Sequence, residues 1–125
     1  MPDNARAALI GFGRAFLALI MHDEALAVHR LVIAERDRAP QLGLIFHDSA
    51  IVPTKTRLAQ LIGQLSLPVD DNVVAAADLL ALWRGKPMLA VEMGMPPWAP
   101  AAVDAHIART VDLCVAGWAA LASNP

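Results

Sequence analysis

The side chains best suited to bind a metal or act as a base are four histidines: His22, His29, His47 and His106. No two of them lie three or four residues apart, and the sequence has neither an H-E-x-x-H motif nor a Cys/His cluster. Paired ligands on one helix face need that spacing, so the sequence predicts no metal site and no cofactor, with a site assembled from distant helices as the alternative. His29 lies in an apolar segment, where it can hydrogen-bond either a ligand or a backbone carbonyl in the core.

Nucleophilic catalysis is also disfavoured. The run His47-Asp48-Ser49 contains a base, an acid and a hydroxyl, but consecutive helical residues diverge by about 100°, so the three cannot form a relay among themselves. The single cysteine, Cys114, has no base nearby in the sequence and lies on an apolar stripe, which is typical of a small buried hydrophobe. We therefore predict that the chain is not an enzyme.

The composition narrows the class of protein. The 125 residues suit one domain and are 57% hydrophobic and 18% charged, with a net charge of −2. There is no basic excess to pair with phosphates, so we expect this chain alone to bind no nucleic acid. One cysteine excludes an internal disulfide and points to a reducing compartment, hence to the cytoplasm.

The hydrophobic spacing predicts five helical segments and no strand. The first, from about Asn4 to Met21, is apolar but is split by Arg14, which favours a helix of a water-soluble domain over a signal peptide or a membrane span. The second, from about Asp23 to Asp37, has little polar face, and we expect it to be central.

Prolines mark the limits of the later segments. Pro40 suits a helix start, and Pro53 should break or kink the helix that follows. Asp70 or Asp71 caps the fourth segment, which Pro87 should interrupt. The fifth segment, from about Ala101 to Ala122, carries an apolar stripe at helical spacing: Val103, Ile107, Val111, Cys114, Trp118 and Leu121. The predicted fold is all-α, a single bundle-like domain of five or six helices.

Several motifs together resemble a known family. The run His29–Glu35 reads HRLVIAE and is followed by Pro40-Gln41-Leu42 and Phe46; Val69-Asp70-Asp71 precedes the next helix, and VDLC at 111–114 is followed by Gly117-Trp118. In order and spacing these motifs resemble the C-terminal regulatory domain of TetR/AcrR-type transcriptional regulators, in particular the AefR-like type. The resemblance covers nearly the whole chain.

The resemblance implies functions that the spacing alone does not. It implies a homodimer that binds a small apolar or amphipathic effector, and whose last two helices pack into a four-helix interface. It also implies release of operator DNA through an N-terminal helix-turn-helix domain that we expect to be absent from this chain, either naturally or because the chain is a fragment. On this interpretation residues 1–125 form the regulatory domain, and the stripe named above divides between core and partner. A kink at Pro87 would change the geometry of that interface.

The effector pocket predicted from the resemblance is lined by the larger residues on the inward faces of the first four helices. These residues are Phe12, Phe16, His29, Val32, Phe46, Leu61, Leu80, Trp83 and Met88. For each of them an ordinary core position is the alternative. For the whole chain the alternative is a dimerisation module that binds no ligand and acts through protein–protein contacts.

Overall fold

The structure, a computed structural model, describes residues 3–123. It contains six α-helices, and a π-helical turn at His47–Ile51 joins the third to the fourth. The helices are α1 (Asp3–Ile20), α2 (Asp23–Ala34), α3 (Gln41–Phe46), α4 (Val52–Gln64), α5 (Asn72–Glu92) and α6 (Pro100–Ala122). Residues 3–123 include no β-strand, and the all-α prediction is confirmed.

Side-chain caps fix the start of two helices. Asp71 is the N-cap of α5, and its Oδ1 accepts hydrogen bonds from the backbone N–H groups of Val73 at 2.9 Å and Val74 at 3.1 Å. His22 caps α2 in the same way, because its Nδ1 accepts from the N–H of Glu24 at 3.3 Å. Each cap satisfies N–H groups that have no partner within the helix.

Pro53 produces a local widening of the helix. It lies in the first turn of α4, directly after the π-helical turn, where the N–H of Val52 bonds back to the carbonyl of His47. Proline has no N–H to donate, and the extra residue in this turn lets the chain pass without ending the helix. The hydroxyl of Thr54 donates to the carbonyl of Ala50 at 2.8 Å. The irregularity predicted at Pro53 is therefore a single wide turn.

Four helices build the core. Leu9 and Leu17 of α1, Leu58 and Ile62 of α4, Leu79 and Trp83 of α5, and Ile107 and Val111 of α6 are all buried and belong to one cluster. Trp83 is fully buried at its centre, and the ring of Phe12 stacks on it with centroids 6.2 Å apart. Because α5 contacts α1, α4 and α6, it is the central helix of the bundle.

The α1–α5 contact depends on the absence of a side chain at Gly13. A Cβ there would lie 2.7 Å from Cε2 of Trp83 and 2.8 Å from Cγ2 of Ile107. Contacts this short are closer than packed carbon atoms tolerate. Gly13 therefore lets α1 lie directly against the indole of Trp83.

Two ion pairs join α1 to α6 at the surface. The guanidinium of Arg6 donates to both carboxylate oxygens of Asp112, at 2.9 and 3.0 Å, and Arg14 pairs with Asp104 at 3.1 Å. The hydrogen bond from Arg6 holds the pKa of Asp112 below its usual value. Both pairs are exposed to water, so their main effect is to fix the register of two helices already packed through the core.

The prediction that the second helix is central is wrong. None of the residues of α2 is buried, and Val28, Leu31 and Ile33 are each about half exposed. The backbone of helix α2 packs mainly against α1 and α3, at the edge of the bundle. Helix α2 is therefore peripheral and exposes several apolar side chains. Exposed apolar surface of this kind often marks a binding site.

The predicted interruption at Pro87 is also wrong, since α5 runs from Asn72 to Glu92 without a break. Pro87 cannot donate to the carbonyl of Trp83, four residues earlier. His106 of α6 takes over that role, because its Nε2 lies 3.0 Å from the carbonyl oxygens of both Leu82 and Trp83. A side chain from the neighbouring helix thus satisfies the acceptor that proline leaves free.

No helix within residues 3–123 combines the length and the apolar character needed to cross a membrane.

Candidate functional site

A cavity of about 460 Å³ lies between the peripheral helix α2 and the C-terminal half of α5. Its apolar lining comes from both helices: Leu26, Ile33, Ala34, Met88 and Val91. Four polar residues complete it: His29, Arg30, Arg84 and Glu92. An apolar space with a few convergent polar groups is typical of small-molecule sites, and its volume falls within their usual range of roughly 300–1,000 Å³.

Helical spacing explains why these residues face one another. On α5, Arg84, Met88 and Glu92 recur every four residues, and Val91 lies three after Met88. On α2, Leu26, His29, Arg30 and Ile33 recur at intervals of three and four. Residues at these intervals share one face of a helix, so each helix offers a single stripe to the cavity.

Three polar side chains bridge α2 and α5 across the cavity. Glu92 Oε1 lies 3.3 Å from Nε2 of His29 and 3.2 Å from a terminal nitrogen of Arg84. The same nitrogen of Arg84 lies 3.4 Å from His29 Nε2. His29 is the least exposed of the three, with 21% of its side chain accessible, against 42% for Arg84 and 43% for Glu92. The three groups form one hydrogen-bonded cluster at the edge of the apolar space.

Two of the nine predicted pocket residues, His29 and Met88, line this cavity. The other seven lie elsewhere. Five of them belong to the core cluster or pack against it: Phe12, Phe16, Leu61, Leu80 and Trp83. The remaining two, Val32 and Phe46, are half-buried, and Val32 faces Gly43 of α3. Ordinary core packing, the alternative interpretation of those five, describes them in this structure.

Sequence reasoning missed most of the cavity lining: Leu26, Arg30, Ile33, Ala34, Arg84, Val91 and Glu92. Because we selected large residues from inward faces, the charged members and the small Ala34 were passed over. One usable signal was present, since Arg84 and Glu92 flank Met88 at intervals of four on an otherwise apolar helix.

The apolar stripe of α6 contributes largely to the core of this chain. Ile107, Val111, Cys114 and Trp118 are each less than 10% exposed and pack within the same chain, which leaves them little area to offer a partner. Val103 is half-buried, and Leu121 is 72% exposed. How this stripe divides between core and partner stays a prediction, and Leu121 is its most exposed member.

A surface beside that stripe joins α5 to α6 and includes a groove of about 200 Å³. We call it the α5–α6 face, and it consists of Ala81, Leu82, Gly85, Lys86, His106, Arg109, Thr110 and Leu113. Leu82 is 49% exposed and Leu113 is 53% exposed. Gly117 and Ala120, which follow Leu113 at helical spacing, are also exposed.

The remaining reactive groups form no catalytic set. His47 and Asp48 do contact each other, with Nδ1 and Oδ1 3.1 Å apart, but the hydroxyl of Ser49 donates to the carbonyl of Ile45. Burial raises the pKa of Cys114 to about 11, and the nearby charge of Asp78 adds to the effect, so the thiol stays protonated. Over the described part of the chain, no three His, Cys, Asp or Glu side chains are grouped to hold a metal ion.

The described residues thus form a helical bundle with a partly apolar cavity under a peripheral helix. The comparison with known families identifies the family. The family model described as the AefR-like transcriptional repressor, C-terminal domain, matches residues 7–120. The chain therefore belongs to this family of TetR-type regulatory domains, which are not enzymes.

The fold is similar to that of a solved structure, "Flavonoid-responsive Regulator FrrA". The two chains are 28% identical, with a TM-score of 0.79, and the match covers 89% of this chain and 59% of that one. This chain thus spans somewhat more than half the length of that regulator. Regulators of the TetR family generally act as dimers that bind small-molecule effectors. No curated protein shows a significant match.

Proposed function

We propose that this chain is the effector-sensing and dimerisation domain of a TetR-type transcriptional regulator, with the effector bound between α2 and α5. One observation carries the proposal. A cavity of about 460 Å³ separates the central helix of the bundle from a helix with no buried residue. A ligand in that space would contact both helices and supply the apolar packing that α2 lacks.

The mechanism that fits this geometry is a population shift. Helix α2 is held by α1, by α3 and by the cluster of His29, Arg84 and Glu92, so its position relative to α5 depends on few contacts. An effector that binds one arrangement of these helices more tightly stabilises that arrangement by its differential affinity. In a complete regulator of the cytoplasm, the shift would reach the DNA-binding heads and release the operator.

The effector class follows from the lining. Five apolar residues and four polar ones favour a molecule with an extended apolar body and at least one polar end. The similar regulator is named for its response to flavonoids, which makes a planar aromatic molecule a reasonable first probe. We therefore propose an aromatic amphipathic effector.

Dimerisation is proposed to use the α5–α6 face. Its exposed leucines, Leu82 and Leu113, flank a shallow groove, and Gly117 and Ala120 continue the surface with small residues. Small residues let two helices approach closely, and a self-complementary patch of this kind suits a two-fold dimer. Substituting Leu113→Glu should convert a dimer into a 13.3 kDa monomer by native mass spectrometry.

The ligand proposal is tested by calorimetric titration with three probes: the flavone apigenin, biphenyl-4-carboxylate and biphenyl-4-carboxamide. Ala34→Trp fills the cavity from α2 and should abolish binding of whichever probe binds the parent chain. Val28→Trp places the same side chain on α2 away from the cavity and should leave binding unchanged. The proposal is contradicted if the parent chain binds none of the three probes. It is also contradicted if Ala34→Trp and Val28→Trp bind a probe equally well.

The alternative function, a dimerisation module without a ligand, is favoured by the same exposed α5–α6 face. A chain that forms a dimer but binds none of the three probes would support it. Neither function requires this chain to bind DNA.

A further inference from the structure

The cavity between α2 and α5 is chemically asymmetric. Its lining combines five apolar residues with two guanidinium groups, Arg30 and Arg84, and a single carboxylate, Glu92. Within the described residues, no carboxylate lies within ion-pair distance of Arg30. The lining therefore carries a net positive charge in a chain whose overall charge is −2.

The side chain of Glu92 is held in place by few contacts. It is the last residue of α5, where a negative charge faces the negative end of the helix dipole. Its contacts with His29 and Arg84 are 3.3 and 3.2 Å long, and 43% of the side chain is accessible. A carboxylate held only by these contacts can turn into water when another acid replaces it.

The backbone of Arg84 is well anchored, although 42% of its side chain is accessible. It follows the fully buried Trp83 on a helix that packs against three others. His29 is mostly covered, and its Nε2 points at the same oxygen of Glu92 as Arg84 does. Two nitrogen donors from two helices thus converge on one acidic oxygen.

We propose that Arg84 and His29 form the acid-recognising end of this cavity, which takes an apolar molecule bearing one carboxylate in place of Glu92. The inference rests on the proposed function, since it assigns the polar end of the same site. The proposal also explains how binding would affect the position of α2 relative to α5. The ligand's carboxylate would bridge these two helices in the place where the side chain of Glu92 now does.

The test compares biphenyl-4-carboxylate with its neutral isostere biphenyl-4-carboxamide by calorimetry on the complete chain. The carboxylate should bind about tenfold more tightly than the amide, because a guanidinium binds a charged carboxylate more strongly than it binds a neutral amide. Arg84→Gln should remove that preference, because glutamine keeps a hydrogen-bond donor but carries no charge. Glu92→Gln should strengthen carboxylate binding about threefold or more by removing the competitor.

Arg57→Gln is the matched control, because Arg57 is exposed, lines neither cavity and forms no ion pair with the described residues. It should leave the preference unchanged. Amide binding by each variant shows that its fold and cavity are intact. Equal affinities for the two probes, or a preference that survives Arg84→Gln, would overturn this inference alone. If the chain binds neither of these probes and does not bind apigenin, both this inference and the proposed function are overturned.

Discussion

At the scale of single residues, Gly13 determines how closely α1 approaches the core. Gly13→Ala should destabilise the fold, because the new methyl group would meet Trp83 and Ile107 at less than 3 Å. Overpacking costs about 1–3 kcal/mol, and the better helix propensity of alanine returns about 1 kcal/mol. We expect a net loss of up to about 2 kcal/mol in the free energy of unfolding, measured with urea.

Gly11→Ala is the control for this prediction. Nothing lies within 4 Å of a Cβ at Gly11, which is exposed on the same helix. This change should be neutral or stabilise by up to about 1 kcal/mol. If the two alanine variants prove equally stable, the close contact between Gly13 and Trp83 is not present in solution.

Cys114 gives a prediction of pH dependence. Its pKa in the folded chain is about 11, whereas an unfolded cysteine ionises near pH 8.5. Unfolding therefore releases a proton between these values, and the thiol's contribution to stability is present below about pH 8.5 and is lost as the pH rises toward 11. Urea unfolding from about pH 7 to 10 should show a steeper loss for the parent chain than for Cys114→Ala. Parallel pH profiles would contradict the assignment of Cys114 to the core.

Residue types alone predicted Cys114 correctly but not Gly13. A lone cysteine on an apolar stripe is usually buried, and the spacing places it correctly. A glycine within a helix has no side chain to carry a pattern, so only the neighbouring helix shows why it is needed. The charged cavity residues Arg84 and Glu92 were missed for a related reason, since only the position of α2 shows that they line a cavity.

At the scale of elements, Pro87 and His106 form one unit across α5 and α6. His106→Ala should cost about 1–2 kcal/mol, because it leaves the carbonyl of Trp83 without a donor. In a Pro87→Ala background the amide at position 87 can donate to that carbonyl, so the cost should fall by at least about 0.5 kcal/mol. The four stabilities form a double-mutant cycle measured by urea unfolding.

His47→Ala serves as the control for the cycle, since His47 is exposed and contacts only its neighbour Asp48 through its ring nitrogen. It should change stability by less than about 0.5 kcal/mol in either background. A His106→Ala cost that does not depend on residue 87 would show that the two residues are not coupled.

The helices were well predicted, but two of their roles were not. Caps and prolines located the start of α5 and the irregularity before α4, because those signals act within a few residues. The central position expected for α2 was wrong, because an apolar composition predicts burial without saying what covers the helix. The break expected at Pro87 was wrong because a distant histidine on α6 restores the missing hydrogen bond.

At the scale of the whole molecule, the bundle divides into two parts. Helices α1, α4, α5 and α6 share one core, whereas α2 contributes no buried residue and borders a cavity. The resemblance to the regulatory-domain family predicted the fold. The pocket residues that we predicted stay a prediction, because effector sites within one fold depend on individual side chains, and two of the nine line the cavity described here.

The central claim is that an effector binds between α2 and α5 and joins them. Hydrogen exchange of the backbone amides, measured by mass spectrometry with and without a saturating probe, tests it most directly. We expect exchange to be at least about tenfold slower in α2 and in the C-terminal half of α5, with α4 unchanged. Tight binding that leaves exchange in α2 unaltered would contradict the claim.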